Sequence, residues 1–78
     1  MNEEDIIYLN ELIRKNFSSY PIKRIQEILE DYGRELSEKE ITKVRIAIIQ
    51  LSRYDINRLK ELVAVAKNDY KKVLLWAA

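Results

Sequence analysis

The chain has 78 residues, of which 47% are hydrophobic and 35% charged, and its formal net charge is +1. A chain this short has interior for one hydrophobic core, so we expect residues 1–78 to form a single domain. It contains no cysteine and no histidine, which excludes disulfides, thiolate or imidazole metal ligands and the commonest catalytic groups at neutral pH.

Charge is distributed unevenly along the chain. Residues 1–40 carry six basic and ten acidic side chains, a net charge of −4, whereas residues 41–78 carry eight basic and three acidic ones, a net charge of +5. Either the two halves neutralise each other within the fold, or the basic half faces an acidic partner.

The start of the chain and its hydropathy predict the cellular location. Three of the opening residues 1–5 are acidic, and this segment lacks the basic start and apolar run of a secretory signal. Even the apolar stretch 73–78 is far shorter than the roughly 20 residues of a membrane span. We therefore expect a cytoplasmic protein without a membrane segment.

Apolar spacing predicts an all-α fold, a compact bundle of four to five short helices. Residues 34–78 contain neither glycine nor proline, the two strong helix breakers. Apolar side chains recur at helical spacing along the whole chain. The predicted helices are about 3–16, 21–32, 38–54, 56–67 and 69–77.

Residues at the predicted ends of the second helix match known start and stop signals. Ser18 or Ser19 is expected to cap it, with Pro21 in its first turn, where the missing N–H has no cost. Gly33 is placed to end the helix in a left-handed conformation.

The later helices carry their own signals. Ser37 and Glu40 have the spacing of a capping box at the start of the third helix, and Asp55 is the expected cap of the fourth. Asn68 or Asp69 caps or kinks the chain into the last segment. This pattern leaves open whether the last two helices are separate or one bent rod.

One face of each predicted helix supplies the expected core. The third helix is expected at its centre, and the last helix is expected to dock through Tyr70, Leu74 and Trp76. The apolar residues of these helices comprise Ile6, Leu9, Leu12, Ile13, Phe17, Ile22, Ile25, Ile28, Leu29, Tyr32, Val44, Ala47, Ile48, Ile49, Leu51, Ile56, Leu59, Leu62, Val63, Ala66, Val73 and Leu75.

Arg45 falls inside the apolar arc of the third helix, between Ile41 and Ile49. Its methylene stem can pack on the core while the guanidinium reaches water. Alternatively it pairs with Asp69 and fixes the docking of the last helix. A third reading is a role in binding.

Aromatic residues suggest a contact surface. The five tyrosines lie mostly near predicted helix ends, where a ring closes the core while its hydroxyl stays in water. Alternatively, Tyr70 and Trp76 form an exposed aromatic and basic patch with Lys71 and Lys72, the composition of binding hot spots. With Arg45, these four are the predicted partner-contact residues.

The sequence lacks the residue patterns typical of catalytic, metal and phosphate sites. Glu27, Glu30 and Asp31 lie on the predicted solvent side of the second helix, and paired catalytic carboxylates need a dry pocket instead. Neither a carboxylate metal loop nor a glycine-rich phosphate loop is present. We predict no catalytic, cofactor or metal residue, no small-molecule substrate and no enzyme activity.

The second and third predicted helices with Gly33 superficially resemble a helix-turn-helix. Glu38 and Glu40 would stand at the start of the recognition helix with only Lys39 between them, where they repel phosphates. Nucleic-acid binding is therefore the alternative function, through Arg53, Arg58, Lys67, Lys71 and Lys72.

Two C-terminal segments carry a resemblance. Residues 44–52 read VRIAIIQLS and residues 66–77 read AKNDYKKVLLWA. They resemble a set of small bacterial helical proteins with V-R-x-A-I-x-x-L-S and A-K-x-D-Y-[RK]-x-V-L-x-W-A segments, although Lys72 stands where that set often has Asp. The likeness begins near residue 42, and it implies a bacterial, cytoplasmic protein without an assigned activity.

Composition, charge and resemblance together predict an interaction, adaptor or regulatory module. Its partner would be another protein or a second copy in a homodimer.

Overall fold

The computed structural model describes residues 3–78, and these residues form four helices. They are α1 (Glu3–Asn16), α2 (Ile22–Glu30), α3 (Ile41–Ser52) and α4 (Ile56–Ala77). No strand occurs within the described range, so the all-helical prediction is confirmed. No helix between residues 3 and 78 combines the length and apolar character needed to cross a membrane.

All four helices contribute to one buried core. α3 packs most extensively on α4 and also on α1, while α2 contacts both α4 and α1. The radius of gyration is 11.3 Å, close to the value of about 11.5 Å expected for a compact chain of this length. The most deeply buried side chains are Ile13, Phe17, Ile25, Leu29, Tyr32, Val44, Ile48, Ile49, Leu59, Leu62 and Val73.

α1 has the predicted bounds, with acidic residues in its first turn and basic residues in its last. Those charges suit the two ends of the helix dipole. Leu9, Ile13 and Phe17 are buried as expected. The prediction that Ile6 belongs to the core is wrong. Ile6 is exposed, because it lies at the edge of a cavity between α1 and α2.

α2 is shorter than predicted and is not capped by a serine. Pro21 occupies the N-cap position without any side-chain cap hydrogen bond, and Ser18 and Ser19 are exposed. Helical structure ends at Glu30, so Tyr32 lies in the following turn. Gly33 has φ +115°, which confirms that this glycine is needed for a positive backbone angle.

α3 begins three residues later than predicted, and the Ser37–Glu40 capping box does not form. Glu40 itself is left-handed, with φ 49° and ψ 45°, and makes no side-chain cap hydrogen bond. The reason is a competing local arrangement. The Glu38 carboxylate accepts from the backbone N–H groups of Gly33 and Glu35, which shapes this stretch as a turn instead of a helix.

α4 settles the question of the last two helices. Asp55 caps it as predicted, accepting from the N–H groups of Asn57 at 2.9 Å and Arg58 at 3.3 Å. The helix continues to Ala77, but Asp69 is non-helical with φ −156° and ψ 91°. The two predicted segments are therefore two stretches of helix that meet at a kink at Asp69.

The segment after the kink docks differently from the prediction. Val73 is fully buried, whereas Trp76 keeps 49% of its surface exposed. Tyr70 and Leu74 pack against the core only partly. Val73 is therefore the anchor, and Trp76 is not part of the core.

Candidate functional site

Arg45 is a half-buried cation on the inward side of α3. Ile41 and Ile49 precede and follow it by one turn of α3, so the helix directs all three side chains inward. The Arg45 Nε donates to the backbone carbonyl of Tyr32 at 2.9 Å. Burial lowers the pKa of Arg45, while the carboxylates of Glu30 and Glu38 oppose that shift.

The predicted Arg45–Asp69 pair is wrong. Asp69 uses its carboxylate as a cap, accepting from the N–H of Lys71 at 3.2 Å where α4 resumes after the kink. A helix start leaves N–H groups without intrahelical partners, and an aspartate is well suited to satisfy one. Asp69 therefore bonds within its own helix, whereas Arg45 bonds to the connection before α3.

Gly33 and Arg45 lie in direct contact. A Cβ added at Gly33 would stand 2.7 Å from Nη2 of Arg45 and 2.8 Å from Cγ2 of Ile41. Both distances are shorter than van der Waals contact allows. The glycine is therefore required twice, by its positive φ and by the guanidinium beside it.

Glu38 organises the connection between α2 and α3, and sequence reasoning had treated it only as an obstacle to phosphate binding. Its side chain is 8% exposed, and the Lys67 ammonium lies 3.7 Å away. Burial alone would raise the pKa of Glu38, but the N–H groups of Glu35 and Gly33, together with Lys67, lower it below the ordinary value. No spacing rule would have found this contact, because Lys67 lies in α4, far along the chain from the connection that holds Glu38.

Lys67 and Tyr32 complete the network around residues 31–40. The Lys67 ammonium donates to the carbonyl of Asp31 at 3.0 Å and lies 3.8 Å from its carboxylate. The Tyr32 hydroxyl donates to the carbonyl of Lys39 at 2.7 Å. Tyr32 is buried, as its place in the apolar stripe of the second helix predicted, and burial raises the pKa of its hydroxyl.

A cavity of about 260 Å³ opens between α1 and α2. Its apolar wall consists of Ile6, Leu9, Ile13 and Leu29, and its polar wall consists of Asn10, Gln26, Glu30 and Arg45. At its edge the Gln26 amide donates to the Asn10 side-chain oxygen at 2.8 Å. The cavity therefore has both apolar and charged lining residues, and its volume is that of a small molecule.

The five predicted partner-contact residues do not form one surface. Arg45 lines the cavity between α1 and α2, whereas Tyr70 and Lys71 line a separate depression beside Glu38. Lys71, Lys72 and Trp76 are exposed, and Tyr70 is half-buried. Of the predicted aromatic and basic patch, Lys71, Lys72 and Trp76 are therefore accessible, whereas Tyr70 is partly covered.

Basic residues assigned to the nucleic-acid alternative differ in their surroundings. Lys67 is held by Asp31 and Glu38, and Arg58 pairs with Glu61 at 3.2 Å. Arg53, Lys71 and Lys72 are exposed. The α2–α3 pair also lacks helix-turn-helix geometry, because ten residues (31–40) connect the two helices in place of a turn of about three or four.

Carboxylates do not converge on a point in the described part of the chain. Among residues 3–78, no group of three or more acidic side chains is arranged to hold a metal ion.

The chain matches no family model, no curated protein and no solved structure.

Proposed function

We propose that the chain is a helical bundle that works by binding proteins, without catalytic activity, and that it binds a second copy of itself. The observation that carries this proposal is a pair of exposed apolar surfaces with opposite charge. The acidic surface is centred on Ile7 in α1. The basic surface is centred on Leu75 and Trp76 at the end of α4.

The acidic surface presents a large apolar side chain among carboxylates. Ile7 is 54% exposed. Glu3 and Glu4 precede it by four and three residues, and Glu11 follows it by four, so all three share its face of the helix. These glutamates are exposed as well.

The basic surface has the same design with the opposite charge. Leu75 is 73% exposed, and Lys71 lies one helical turn before it. Lys72 lies one turn before Trp76. A tryptophan with adjacent cations is typical of binding hot spots.

These two surfaces complement each other between two copies. In a two-fold dimer, α1 of one copy would meet the end of α4 of the other, and the symmetry repeats the contact. A standard interface buries about 800 Å² per partner, a modest part of the 5250 Å² accessible surface. Exposed ion pairs each contribute at most about 1 kcal/mol, so we expect a weak, salt-sensitive dimer.

Molecular mass measured by sedimentation or light scattering across a concentration series tests the proposal. Wild type is expected to shift from monomer to dimer, and Ile7→Glu is expected to stay monomeric. The matched control is Leu36→Glu, because Leu36 is fully exposed and lies on neither surface. A wild type that stays monomeric, or a Leu36→Glu variant that also loses the dimer, would contradict the proposal.

Charge reversal in two separate chains gives the sharper test. The K71E/K72E variant and the E4K/E11K variant should each be monomeric, since each then presents like charges at both surfaces. Mixed in equal amounts, they should form a heterodimer, because opposite charges meet again at both contacts. Failure of the mixture to associate would count against this pairing of surfaces.

Nucleic-acid binding remains the alternative, and Lys71, Lys72 and Arg53 are the exposed cations available for it. A labelled duplex and a labelled single strand, titrated with the protein at low salt, would reveal it through a steep loss of affinity as salt is added. The engaged positions of Lys67 and Arg58 favour the protein-binding function.

A further inference from the structure

The cavity between α1 and α2 contains an arginine with unused hydrogen-bonding capacity. The Nε of Arg45 donates to the Tyr32 carbonyl. Among residues 3–78, its two terminal amino groups have no hydrogen-bond acceptor and no carboxylate within ion-pair distance. Arg45 lines this cavity and also a neighbouring depression beside Gly33, next to which its Nη2 lies, so an anion entering the cavity would meet a positive charge.

The geometry of a guanidinium defines the kind of anion. Its terminal amino groups form a planar fork that matches the two oxygens of a carboxylate. Partial burial removes some competing water, which strengthens such a bond relative to one at the surface. A carboxylate is therefore the group expected beside Arg45.

Apolar side chains define what the carboxylate is attached to. Ile6, Leu9, Ile13 and Leu29 also line the cavity, and an aliphatic group placed against them would remove apolar surface from water. A volume of 260 Å³ corresponds to about nine non-hydrogen atoms if each takes the share of one water molecule. This favours a small ligand.

Glu30 adds a further requirement. It lines the same cavity as Arg45, so a plain carboxylate would be repelled by it, while an ammonium group would be attracted. A ligand that carries both groups on one carbon satisfies both residues. We propose that this cavity binds a free α-amino acid with a branched aliphatic side chain, its carboxylate on Arg45 and its ammonium towards Glu30.

This site is independent of the proposed dimer. Ile7, Leu75 and Trp76 do not line the cavity. A protein that fails to dimerise can still bind the amino acid, and a dimer can form without it.

Amide chemical-shift titration by NMR tests the proposal with three probes of nearly equal shape. L-leucine carries both charged groups, 4-methylpentanoate lacks the ammonium, and 3-methylbutylamine lacks the carboxylate. We expect leucine to shift amides of α1 and α2 and to bind roughly tenfold more tightly than either analogue, the effect of losing one charge-assisted contact. Equal affinities for all three probes, or no shifts with leucine, would overturn the assignment.

Variants of the two charged residues complete the design. Arg45→Gln should abolish leucine binding, with Arg58→Gln as the matched control at an arginine outside the cavity. Arg45→Gln also removes the hydrogen bond to the Tyr32 carbonyl. Glu30→Gln therefore provides a second test, at an exposed residue. It should weaken leucine binding roughly tenfold and strengthen that of 4-methylpentanoate. If both ligands change in the same direction, Glu30 does not face the ammonium and the proposal fails.

Discussion

The two connections on either side of α3 are built on different principles. The ten residues 31–40 before it are held by side chains from distant parts of the chain: Arg45 on the Tyr32 carbonyl, and Lys67 on Asp31 and Glu38. The three residues 53–55 after it are held locally. Asp55 caps α4, and its N–H bonds the carbonyl of Ser52 at 3.0 Å.

This difference shows where a sequence pattern can be trusted. A short turn depends on residues that lie within one helical turn of one another, so its chemistry is visible in the sequence. The longer connection combines local hydrogen bonds of Glu38, which replace the predicted capping box, with long-range contacts from Arg45 and Lys67. The variants below test that contrast.

Gly33→Ala is expected to have the largest effect. A side chain at φ +115° is strained, and its Cβ would collide with Arg45 and Ile41, so we expect a loss of about 3 kcal/mol in the free energy of unfolding. Urea denaturation measures it. In the double variant G33A/R45Q the cost should be less than the sum of the two single costs, because the collision with the guanidinium is removed. A loss below about 0.5 kcal/mol would show that Gly33 is not constrained.

Glu38→Gln should reveal the buried carboxylate through pH. Its pKa is lowered from 4.5, so the ionised form contributes stability that is fully present above that value and is lost as pH falls through the lowered pKa. At neutral pH the variant should be less stable by about 1.5 kcal/mol. The gap to wild type should close in acid. Glu35→Gln, at an exposed carboxylate of the same connection, should change stability by less than about 0.5 kcal/mol, and a constant gap across pH would refute the role of Glu38.

Asp55→Ala tests the local connection. Loss of the two cap hydrogen bonds should lower the free energy of unfolding by about 1 kcal/mol. The matched comparison is Ser37→Ala, at the residue that the capping-box pattern predicted and the structure leaves exposed. Thermal denaturation followed by circular dichroism distinguishes them, and an equal loss in both variants would restore the capping-box interpretation.

Arg53→Gly should have the smallest effect, with a positive sign. Arg53 has φ 44°, a left-handed conformation that costs an ordinary residue about 1–2 kcal/mol. The extra chain entropy of glycine cancels part of that gain, which leaves an increase of about 0.5 kcal/mol. Lys60→Gly, within α4, should instead lose about 1 kcal/mol. A destabilised Arg53→Gly variant would mean that the arginine side chain supports the turn.

Several elements were predictable because their signals are local. The acidic start and basic end of α1 indicated its bounds, and Asp55 and Asp69 each marked a point where helical N–H groups need a cap. Arg45 was singled out by its angular position, but its partner was not. The bond runs to a backbone carbonyl, and backbone groups leave no trace in the order of side chains.

The spacing of the apolar residues also does not predict which of them are exposed. Ile6 and Leu9 are one turn apart on α1, yet one borders a cavity and the other is buried. Helical periodicity reports only which face is apolar. Whether another helix covers that face depends on where its neighbours end.

The amino-acid sequence by itself determined that the chain is helical, where α1 begins and ends, and that Asp55 caps α4, since each depends on residues within about one turn of each other. Tertiary structure decided which cations are engaged and that Arg45 lines a cavity. Those outcomes depend on contacts such as that between Lys67 and Asp31, 36 residues apart. Such contacts form only when the helices pack, and they can then outweigh a local signal of about 1 kcal/mol.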